Sequence, residues 1–167
     1  FSFPTPLMNV LNGGAHASNG LDVQEFMIVP VCGGTFSEAL RAGAEVFHTL
    51  KKILTEKGLS TGVGDEGGFA PGLKSNREAL ELIALAVEKA GYRLGEDIAL
   101  ALDVAATELF DKGQYTWEGR KISASELQSV YGEWAKAFPL VSVEDGFAED
   151  DWAAWTSFTK EFGHKMQ

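Results

Sequence analysis

The apolar positions in the first half of the chain change from strand-like runs to helical spacing. Two apolar segments of strand length, at 6–11 and 23–29, are separated by the glycine-rich segment 12–20, which is too long for a tight hairpin turn. Two segments with helical spacing follow, and each opens with a hydroxyl residue that has Glu three positions later, as in a capping box. The sequence therefore predicts a long amphipathic helix over 35–58 and a second helix over 75–91.

The second half alternates strand and helix patterns. A continuous apolar run over 98–104 predicts a strand buried on both faces, and Ser123 opens a helix that Pro139 ends. A second buried strand is predicted at 140–144, followed by a helix that begins at the acidic residues 149–151. Its aromatic residues recur on one side, which we expect to face the core: Trp152, Trp155, Phe158 and Phe162. This alternation indicates an α/β fold with parallel strands.

Composition narrows the class of protein and of partner. The 167 residues suit one domain, and 45% hydrophobic and 11% aromatic residues exclude a disordered chain. A formal charge of -10 argues against nucleic acid or an anionic membrane surface as a partner. The chain has no apolar run of membrane-spanning length and no basic-then-apolar leader, and Cys32 has no second cysteine to pair with, so we expect a cytoplasmic protein. Because the first residue is Phe1 rather than Met, we also expect an upstream segment.

Acidic residues end both buried strands predicted in the second half. Asp103 follows the apolar run 98–102, and Glu144 follows the run 140–143. The carboxyl ends of parallel strands share one rim of a sheet or barrel, where active sites are built. Two carboxylates there, with no His or Cys at matching spacing, favour Mg²⁺ over Ca²⁺ or Mn²⁺. Spacing alone leaves open the alternative that each acid only caps the loop after its strand.

Three further side chains are candidates for chemistry, and each has a simpler interpretation. Glu66 lies in the sequence GDEGG, whose glycines allow a tight turn that presents either a general acid or only a solvated carboxylate. His16 in the first glycine-rich segment is either a catalyst near the carboxylate rim or a surface residue. Glu25 lies within an apolar strand, where an ionised carboxylate is costly unless it is paired, hydrogen-bonded or facing a polar cavity.

Five segments, in order and in register, together resemble the enolases, the phosphopyruvate hydratases of glycolysis, and among them the bacterial type. They are PLMNVLNGGAH at 6–16, QEFMI at 24–28, GVGDEGGFAP at 62–71, LALDVA at 100–105 and SVEDG at 142–146. No one of these motifs would suffice, but the resemblance runs along essentially the whole chain.

The resemblance implies a fold. Residues 1–167 would form the first half of a TIM-like (β/α)8 barrel with one antiparallel strand, as part of the C-terminal barrel domain of an enolase. The N-terminal domain and the later barrel strands of the family are expected to lie outside these residues. Reversal of the second strand would bring Glu25 to the same rim as Asp103 and Glu144, which the residue pattern alone did not explain.

The resemblance also implies a reaction, the reversible dehydration of 2-phosphoglycerate to phosphoenolpyruvate, with two Mg²⁺ ions in a complete active site. Asp103 and Glu144 match two of the three carboxylates that bind one of these ions. Glu66 matches the acid that protonates the departing C3 hydroxyl. Glu25 and His16 match catalytic residues that contact the substrate, Gln24 lies where substrate is also held, and residues 13–20 match a lid that closes over it.

The lysine base of the family, the third carboxylate ligand and the basic residues that hold the substrate's anions match no position in these 167 residues. We therefore expect the chain to be inactive alone and its parent to be a cytoplasmic homodimer or larger assembly. An alternative is a non-enzymatic interaction fragment, either a plasminogen-type binder displayed at the cell surface or a partner in an RNA-degrading complex, with 108–113 and its exposed Lys112 as the contact. A second alternative, an acidic α/β domain without a site, does not explain the five motifs.

Overall fold

The computed structural model describes residues 4–64 and 66–167, and in them seven strands and four helices follow one another along the chain. The first strands and helices are β1 (Met8–Asn12), β2 (Glu25–Pro30), α1 (Phe36–Glu56), α2 (Asn76–Lys89) and β3 (Ile98–Asp103). The remaining ones are β4 (Phe110–Asp111), β5 (Gln114–Trp117), β6 (Arg120–Ile122), α3 (Ala124–Ala137), β7 (Leu140–Glu144) and α4 (Trp152–Phe162). The predicted α/β class is confirmed, and every predicted helix and strand is present, most of them with shifted bounds. β7 has the bounds predicted for it, but the expectation that it is buried is wrong in part, because Val141 is 38% exposed.

The main sheet has the strand order β1-β2-β3-β7. β2 runs antiparallel to both of its neighbours, whereas β3 and β7 are parallel. The chain therefore passes from β2 through two successive helices, α1 and α2, before it returns as β3. A reversed second strand is thus observed in the sheet, as the resemblance implied.

Both faces of the central strands are buried. One face packs into the main core beneath the helices with the side chains of Phe26, Ile28, Leu100 and Leu102. The other face carries a second, smaller apolar cluster made of Met27, Val29, Ala99 and Ala101. Because side chains alternate along a strand, Glu25 and Asp103 continue this second face at one end of the sheet. The apolar run predicted to be buried on both sides has that environment.

The helix starts follow the hydroxyl residues that the sequence indicates. The side chains of Thr35, Ser75 and Ser123 each accept a hydrogen bond from the backbone amide of the Glu three residues later. Only Ser123 has the full reciprocal box, in which the Glu126 carboxylate also accepts the Ser123 amide. The carboxylate of Glu78 instead accepts the amide of Lys74, so the second predicted box is half formed.

The expectation that Trp152 faces the core is wrong, because 73% of its surface is exposed. The inward face of α4 is set by Ala154 and Phe158, which are one helical turn apart and buried. Trp152 precedes Ala154 by two positions and so lies on the opposite side of the first turn. Trp155 is half-buried and donates its indole N–H to the carbonyl of Ala148 at 3.1 Å.

The small antiparallel sheet β4-β5-β6 was not predicted. Its strands have two to four residues, too few to show a period of two. The turns between them place Lys112-Gly113 and Glu118-Gly119 at positive φ, which is the backbone geometry of tight hairpin turns. The two Xaa-Gly pairs, six residues apart, were the available sequence signal. No helix in the described part of the chain is both long and apolar enough to cross a membrane.

Candidate functional site

Three carboxylates stand side by side at one end of the main sheet. Glu25 is the register partner of Asp103 in the antiparallel pair β2–β3, and Asp103 is the register partner of Glu144 in the parallel pair β3–β7. β2 begins at the rim where β3 and β7 end, because it runs in the opposite direction. The first residue of one strand and the last residues of two others therefore form one row.

Burial and mutual repulsion shift the ionisation of all three groups. Desolvation is the largest cause of the raised pKa of Glu25, followed by the negative charges of Asp103 and Glu66. The pKa of Asp103 is raised first by burial and then by Asp145, against the lowering effect of its hydrogen bond from the Ala105 amide. Burial, Asp103 and Asp145 likewise raise the pKa of Glu144. A cation bound in this row would offset both causes.

The loops that follow β3 and β7 are joined to each other by backbone hydrogen bonds. The Val104 amide donates to the carbonyl of Glu144 at 3.0 Å, and the Ala106 amide donates to the carbonyl of Asp145 at 2.9 Å. Ala105 and Asp145 have φ of 49° and 45°, a left-handed conformation that is uncommon for residues other than glycine. The backbone thus turns sharply just after Asp103 and again just after Glu144, and hydrogen bonds join the two turns.

Two buried tyrosines form hydrogen bonds with the loop after Glu144. Tyr131 donates its hydroxyl hydrogen to the carbonyl of Gly146 at 2.8 Å. The Tyr115 hydroxyl accepts from the Ala148 amide at 3.0 Å and lies 2.8 Å from the Asp151 carboxylate, to which it donates. The Phe147 ring packs edge-on against both tyrosine rings, with centroids 6.1 Å and 5.7 Å away. The Glu144 end of β7 is therefore fixed to the aromatic core.

The residues predicted to hold substrate come together beside the carboxylate row. His16 lies in a short 3-10 turn, and its Nδ1 is 3.7 Å from Oε1 of Glu25. The Nδ1 atom is shielded from solvent and has no hydrogen-bond partner among the described residues. The Gln24 side-chain amide is 3.5 Å from Oδ2 of Asp103. His16, Gln24, Glu25 and Asp103 are thus neighbours, although Asp103 is 79 positions after Gln24.

Glu66 lies on an exposed turn at the same rim. Its charge contributes to the raised pKa of Glu25, so the two carboxylates are near each other. The turn is joined to the end of β1, because the Asn12 amide donates to the Phe69 carbonyl at 2.8 Å and the Phe69 amide donates to the Val10 carbonyl at 3.0 Å. Asp65, the other acid of the GDEGG sequence, lies outside the described residues.

The carboxylates suit a hard divalent cation, with an incomplete set of donors. Asp103 and Glu144 are adjacent oxygen donors of the kind that Mg²⁺ prefers. Within 4–64 and 66–167, no three or more His, Cys, Asp or Glu side chains are arranged to hold a metal ion. The chain therefore offers two adjacent ligands for such a cation.

Two hollows of the surface differ in their relation to the row. A cavity of about 260 Å³ adjoins it and is lined by Gly14, Asp22 and Gln24 on one side and by residues 104–105 and 108–109 on the other. A larger cavity of about 730 Å³, lined by Pro30, Cys32 and Phe36 among others, lies where β2 ends, at the other end of the sheet. The smaller cavity is the one next to the acidic row, because Gln24 and residues 104–105 of its lining directly flank Glu25 and Asp103 in the sequence.

Sequence reasoning missed the asparagines around the two glycine-rich segments. Asn12 is fully buried at the end of β1, and its side chain donates to the Gly68 carbonyl at 2.7 Å. Asn19 donates to the carbonyls of Asn12 and Pro71 at 2.8 Å and 3.0 Å. A polar residue that ends an apolar strand was the available signal, since its burial is costly unless it is hydrogen-bonded.

Comparisons with known proteins agree on one family. Residues 1–167 match the family model described as "Enolase, C-terminal TIM barrel domain". A curated protein named "Enolase" from Bdellovibrio bacteriovorus is 63% identical over 164 residues, which cover 98% of this chain and 39% of that protein. The chain thus spans about two fifths of the length of the relative it matches.

Proposed function

The chain belongs to the enolase family, and from this premise we propose that it supplies part of the active site of a phosphopyruvate hydratase, which interconverts 2-phosphoglycerate and phosphoenolpyruvate. The observation that carries the proposal is the row Glu25, Asp103 and Glu144 at one rim, with His16 and Glu66 beside it. General-acid chemistry, substrate contacts and metal ligation would all occur within this small region.

The charges of the row and of the substrate require a cation. A substrate that carries a phosphate and a carboxylate would be repelled by three neighbouring acids. Asp103 and Glu144 would hold Mg²⁺, which, when bound, neutralises the row and stabilises negative charge on the substrate carboxylate. Asp103 is already oriented by the Ala105 amide at 3.1 Å, so it has one fixed oxygen. We propose two Mg²⁺ ions for a complete active site, as in the family.

The chain's own residues would act on the leaving group. In the dehydration direction, the Glu66 carboxyl gives its proton to the C3 hydroxyl as the C3–O bond breaks, and water leaves while the C2–C3 double bond forms. Glu25 and His16 contact this end of the substrate, and Gln24 positions it from the Asp103 side. Residues 13–20 close over the substrate and exclude water. The raised pKa of Glu25 favours its protonated form beside this acid site.

The C2 proton would be taken by a lysine that these 167 residues do not supply. We propose that residues 1–167 are the first half of a barrel domain and that the N-terminal domain and later strands belong to the same longer polypeptide. The coverage of only 39% of the relative supports this. Further support comes from Gln167, which pairs with β7 through the Val143 amide and the Val141 carbonyl, both at 2.9 Å, as a next parallel strand would.

The proposed parent is a cytoplasmic homodimer or larger assembly. For the alternative, a plasminogen-type or RNA-degrading-complex contact at 108–113, the structure adds only that Lys112 is exposed in the β4–β5 turn. Exposure of one lysine does not favour that role over an ordinary turn, so the enzyme is the function we propose.

The test compares the complete polypeptide that carries these residues with the 167-residue chain. With 2-phosphoglycerate and Mg²⁺, we expect the complete protein to form phosphoenolpyruvate and the chain alone to form none. Chelation of the metal should abolish the reaction, and added Mg²⁺ should restore it. A complete protein that binds Mg²⁺ but leaves 2-phosphoglycerate unchanged would contradict the proposed activity. Turnover by the 167-residue chain would contradict the missing base.

A further inference from the structure

The hydrogen bonds of Asn12 connect the end of β1, the loop that follows it and the distant turn that carries Glu66. Its side-chain Nδ2 donates to the Gly68 carbonyl at 2.7 Å, and its Oδ1 accepts from the Asn9 side chain. Its backbone amide donates to the Phe69 carbonyl, and its backbone carbonyl accepts from Asn19 at 2.8 Å. Asn12 is fully buried. If its side chain were replaced, the groups that it bonds would lose a hydrogen-bond partner and could not bond to water instead.

The Gly68 carbonyl is the base of the turn that carries Glu66. It accepts both from Asn12 and from the Gly64 amide, the latter at 2.9 Å, so one atom closes the turn and attaches it to β1. Glu66 lies midway between the two glycines. The position of the Glu66 carboxylate therefore depends on the position of the Gly68 carbonyl.

Two glycines of the turn, Gly64 and Gly68, are packed closely against Asn12 and the end of β1. A Cβ atom on Gly64 would be 2.3 Å from the Asn12 Nδ2 atom, and a Cβ on Gly68 would be 2.7 Å from the Leu11 amide nitrogen. Both distances are below those of real contacts, so either side chain would push the turn away from β1. The turn rests on Asn12 and the end of β1.

The same asparagine joins the Glu66 turn to the His16 loop. Asn19, which lies in that loop, donates to the Asn12 carbonyl and also to the Pro71 carbonyl. A movement of residues 13–20 would therefore displace both acceptors of Asn19, the Asn12 carbonyl at the end of β1 and the Pro71 carbonyl after the Glu66 turn. The Glu66 turn and the His16 loop are thus coupled through Asn12, which is also the register partner of Glu25 across β1–β2.

We propose that Asn12 is a positioning residue, which sets the place of the Glu66 carboxylate and makes it depend on the His16 loop through Asn19. The proposal rests on the proposed function, in which Glu66 is the general acid. Asn12 acts through the Gly68 carbonyl and touches no reacting atom. Its loss should therefore impair the departure of the C3 hydroxyl while leaving the earlier removal of the C2 proton in place.

The first test separates these two steps in the complete protein. For Asn12→Ser, we expect phosphoenolpyruvate formation to fall about 100-fold, while exchange of the C2 hydrogen of 2-phosphoglycerate with deuterium from solvent changes less than about threefold. Asn19→Ala, a milder variant, should change the same ratio in the same direction. Asn76→Ser is the matched control, because Asn76 is equally buried but bonds to Asp22, Val23 and Glu118 instead. Parallel losses of exchange and dehydration in Asn12→Ser would overturn the proposal.

The second test needs no substrate. Amide hydrogen exchange at Gly64 and Phe69 should become at least about tenfold faster in Asn12→Ser, with the amides of β3 unchanged. Asn76→Ser should leave the Gly64 and Phe69 amides protected. Unchanged exchange at these two amides in Asn12→Ser would overturn the positioning role even in an active enzyme. If the unaltered protein fails to dehydrate 2-phosphoglycerate, the proposed function fails, and this measurement still decides whether Asn12 holds the turn.

Discussion

Glu25 lies directly opposite Asp103 across the antiparallel pair of β2 and β3. The pKa of each carboxyl is raised, and burial is the first cause in both cases. The row continues to Glu144 on the next strand, so three carboxylates follow one another in register. Burial and like charge both disfavour the ionised carboxylates, so we expect a bound cation to stabilise the row, which makes it testable.

Asp103→Asn should have opposite effects with and without metal. In a chelator, removal of one charge relieves repulsion, so we expect the midpoint of thermal unfolding of the complete protein to rise or stay unchanged. With Mg²⁺, the variant loses a ligand, and we expect the affinity measured by calorimetry to fall at least about tenfold. Asp111→Asn, an exposed carboxylate on the small sheet, is the control and should change neither. Equal Mg²⁺ affinity in both variants would remove Asp103 from the site.

Glu66→Gln should depress turnover far more than substrate binding. The amide keeps the shape of the side chain but has no acidic proton for the leaving hydroxyl, so kcat should fall by about 10² to 10⁴ and KM should stay within about threefold. Glu96→Gln replaces an exposed carboxylate outside the row and should leave both constants unchanged. Steady-state kinetics of the complete protein decide the matter, and normal turnover in Glu66→Gln would mean that another group is the acid.

Gly68→Ala should destabilise the protein, whereas Gly72→Ala should not. The new methyl group at position 68 would press against the Leu11 amide and the side chains of Asn9 and Asn12, and overpacking of this kind costs about 1–3 kcal/mol. Position 72 has open space around it, so its substitution should lie within about 0.5 kcal/mol. Urea unfolding of both variants gives the difference in unfolding free energy. Equal stabilities would show that the turn that carries Glu66 can move away from β1 without cost.

Phe158→Ala and Trp152→Ala should differ in the opposite order to the sizes of their side chains. Phe158 is buried against Phe147 and Tyr131, and its truncation should cost about 3–5 kcal/mol of unfolding free energy. Trp152 is mostly exposed, so its truncation should cost less than about 0.5 kcal/mol. Chemical unfolding curves measure both, and a large loss for Trp152→Ala would place that ring in an interface of the complete protein.

Asp97→Asn should lower stability at neutral pH and have no effect in strong acid. The Arg93 guanidinium, followed by the Arg93 backbone amide, lowers the pKa of Asp97 from 3.8 to about 2. Because the folded-state pKa is below the ordinary value, the stabilisation is complete above about pH 4 and disappears as the pH falls through 2. Thermal unfolding midpoints from pH 7 down to about 2 should therefore converge for the two proteins. A constant difference at every pH would point to packing rather than charge.

The parts of the fold that the sequence predicts are those that depend on local spacing. The hydroxyl-Glu pairs at Thr35, Ser75 and Ser123 mark helix starts because a cap is made within four residues. The run 98–104 predicts a strand because its length and composition suffice, and the strand is observed over Ile98–Asp103. Trp152 was assigned to the wrong side because helical spacing defines a stripe but does not say which residue of the first turn is nearest the core.

The sequence indicated candidate residues for the site but not how they are connected. The adjacency of Glu25 and Asp103 needs the direction of β2, which the family resemblance supplied and periodicity did not. The role of Asn12 depends on a partner 56 positions away, and no local pattern encodes such a contact. The three strands of the small sheet are too short to show an alternating pattern, so only the glycines of their turns indicate them in the sequence.

The direction of β2 also explains why an acid stands at this rim at all. A strand that runs away from the rim ends at the far side of the sheet, where β3 must begin, so the chain has to make an even number of passes in between. The two passes are α1 and α2, and the connection between them, which bears Glu66, therefore comes back to the rim of the carboxylate row and bonds to the end of β1. In a regular strand–helix repeat the single returning helix has no such connection. The placement of Glu66, the proposed general acid, thus follows from the parity of chain passes, and a related barrel with a parallel second strand would need its acid on another segment.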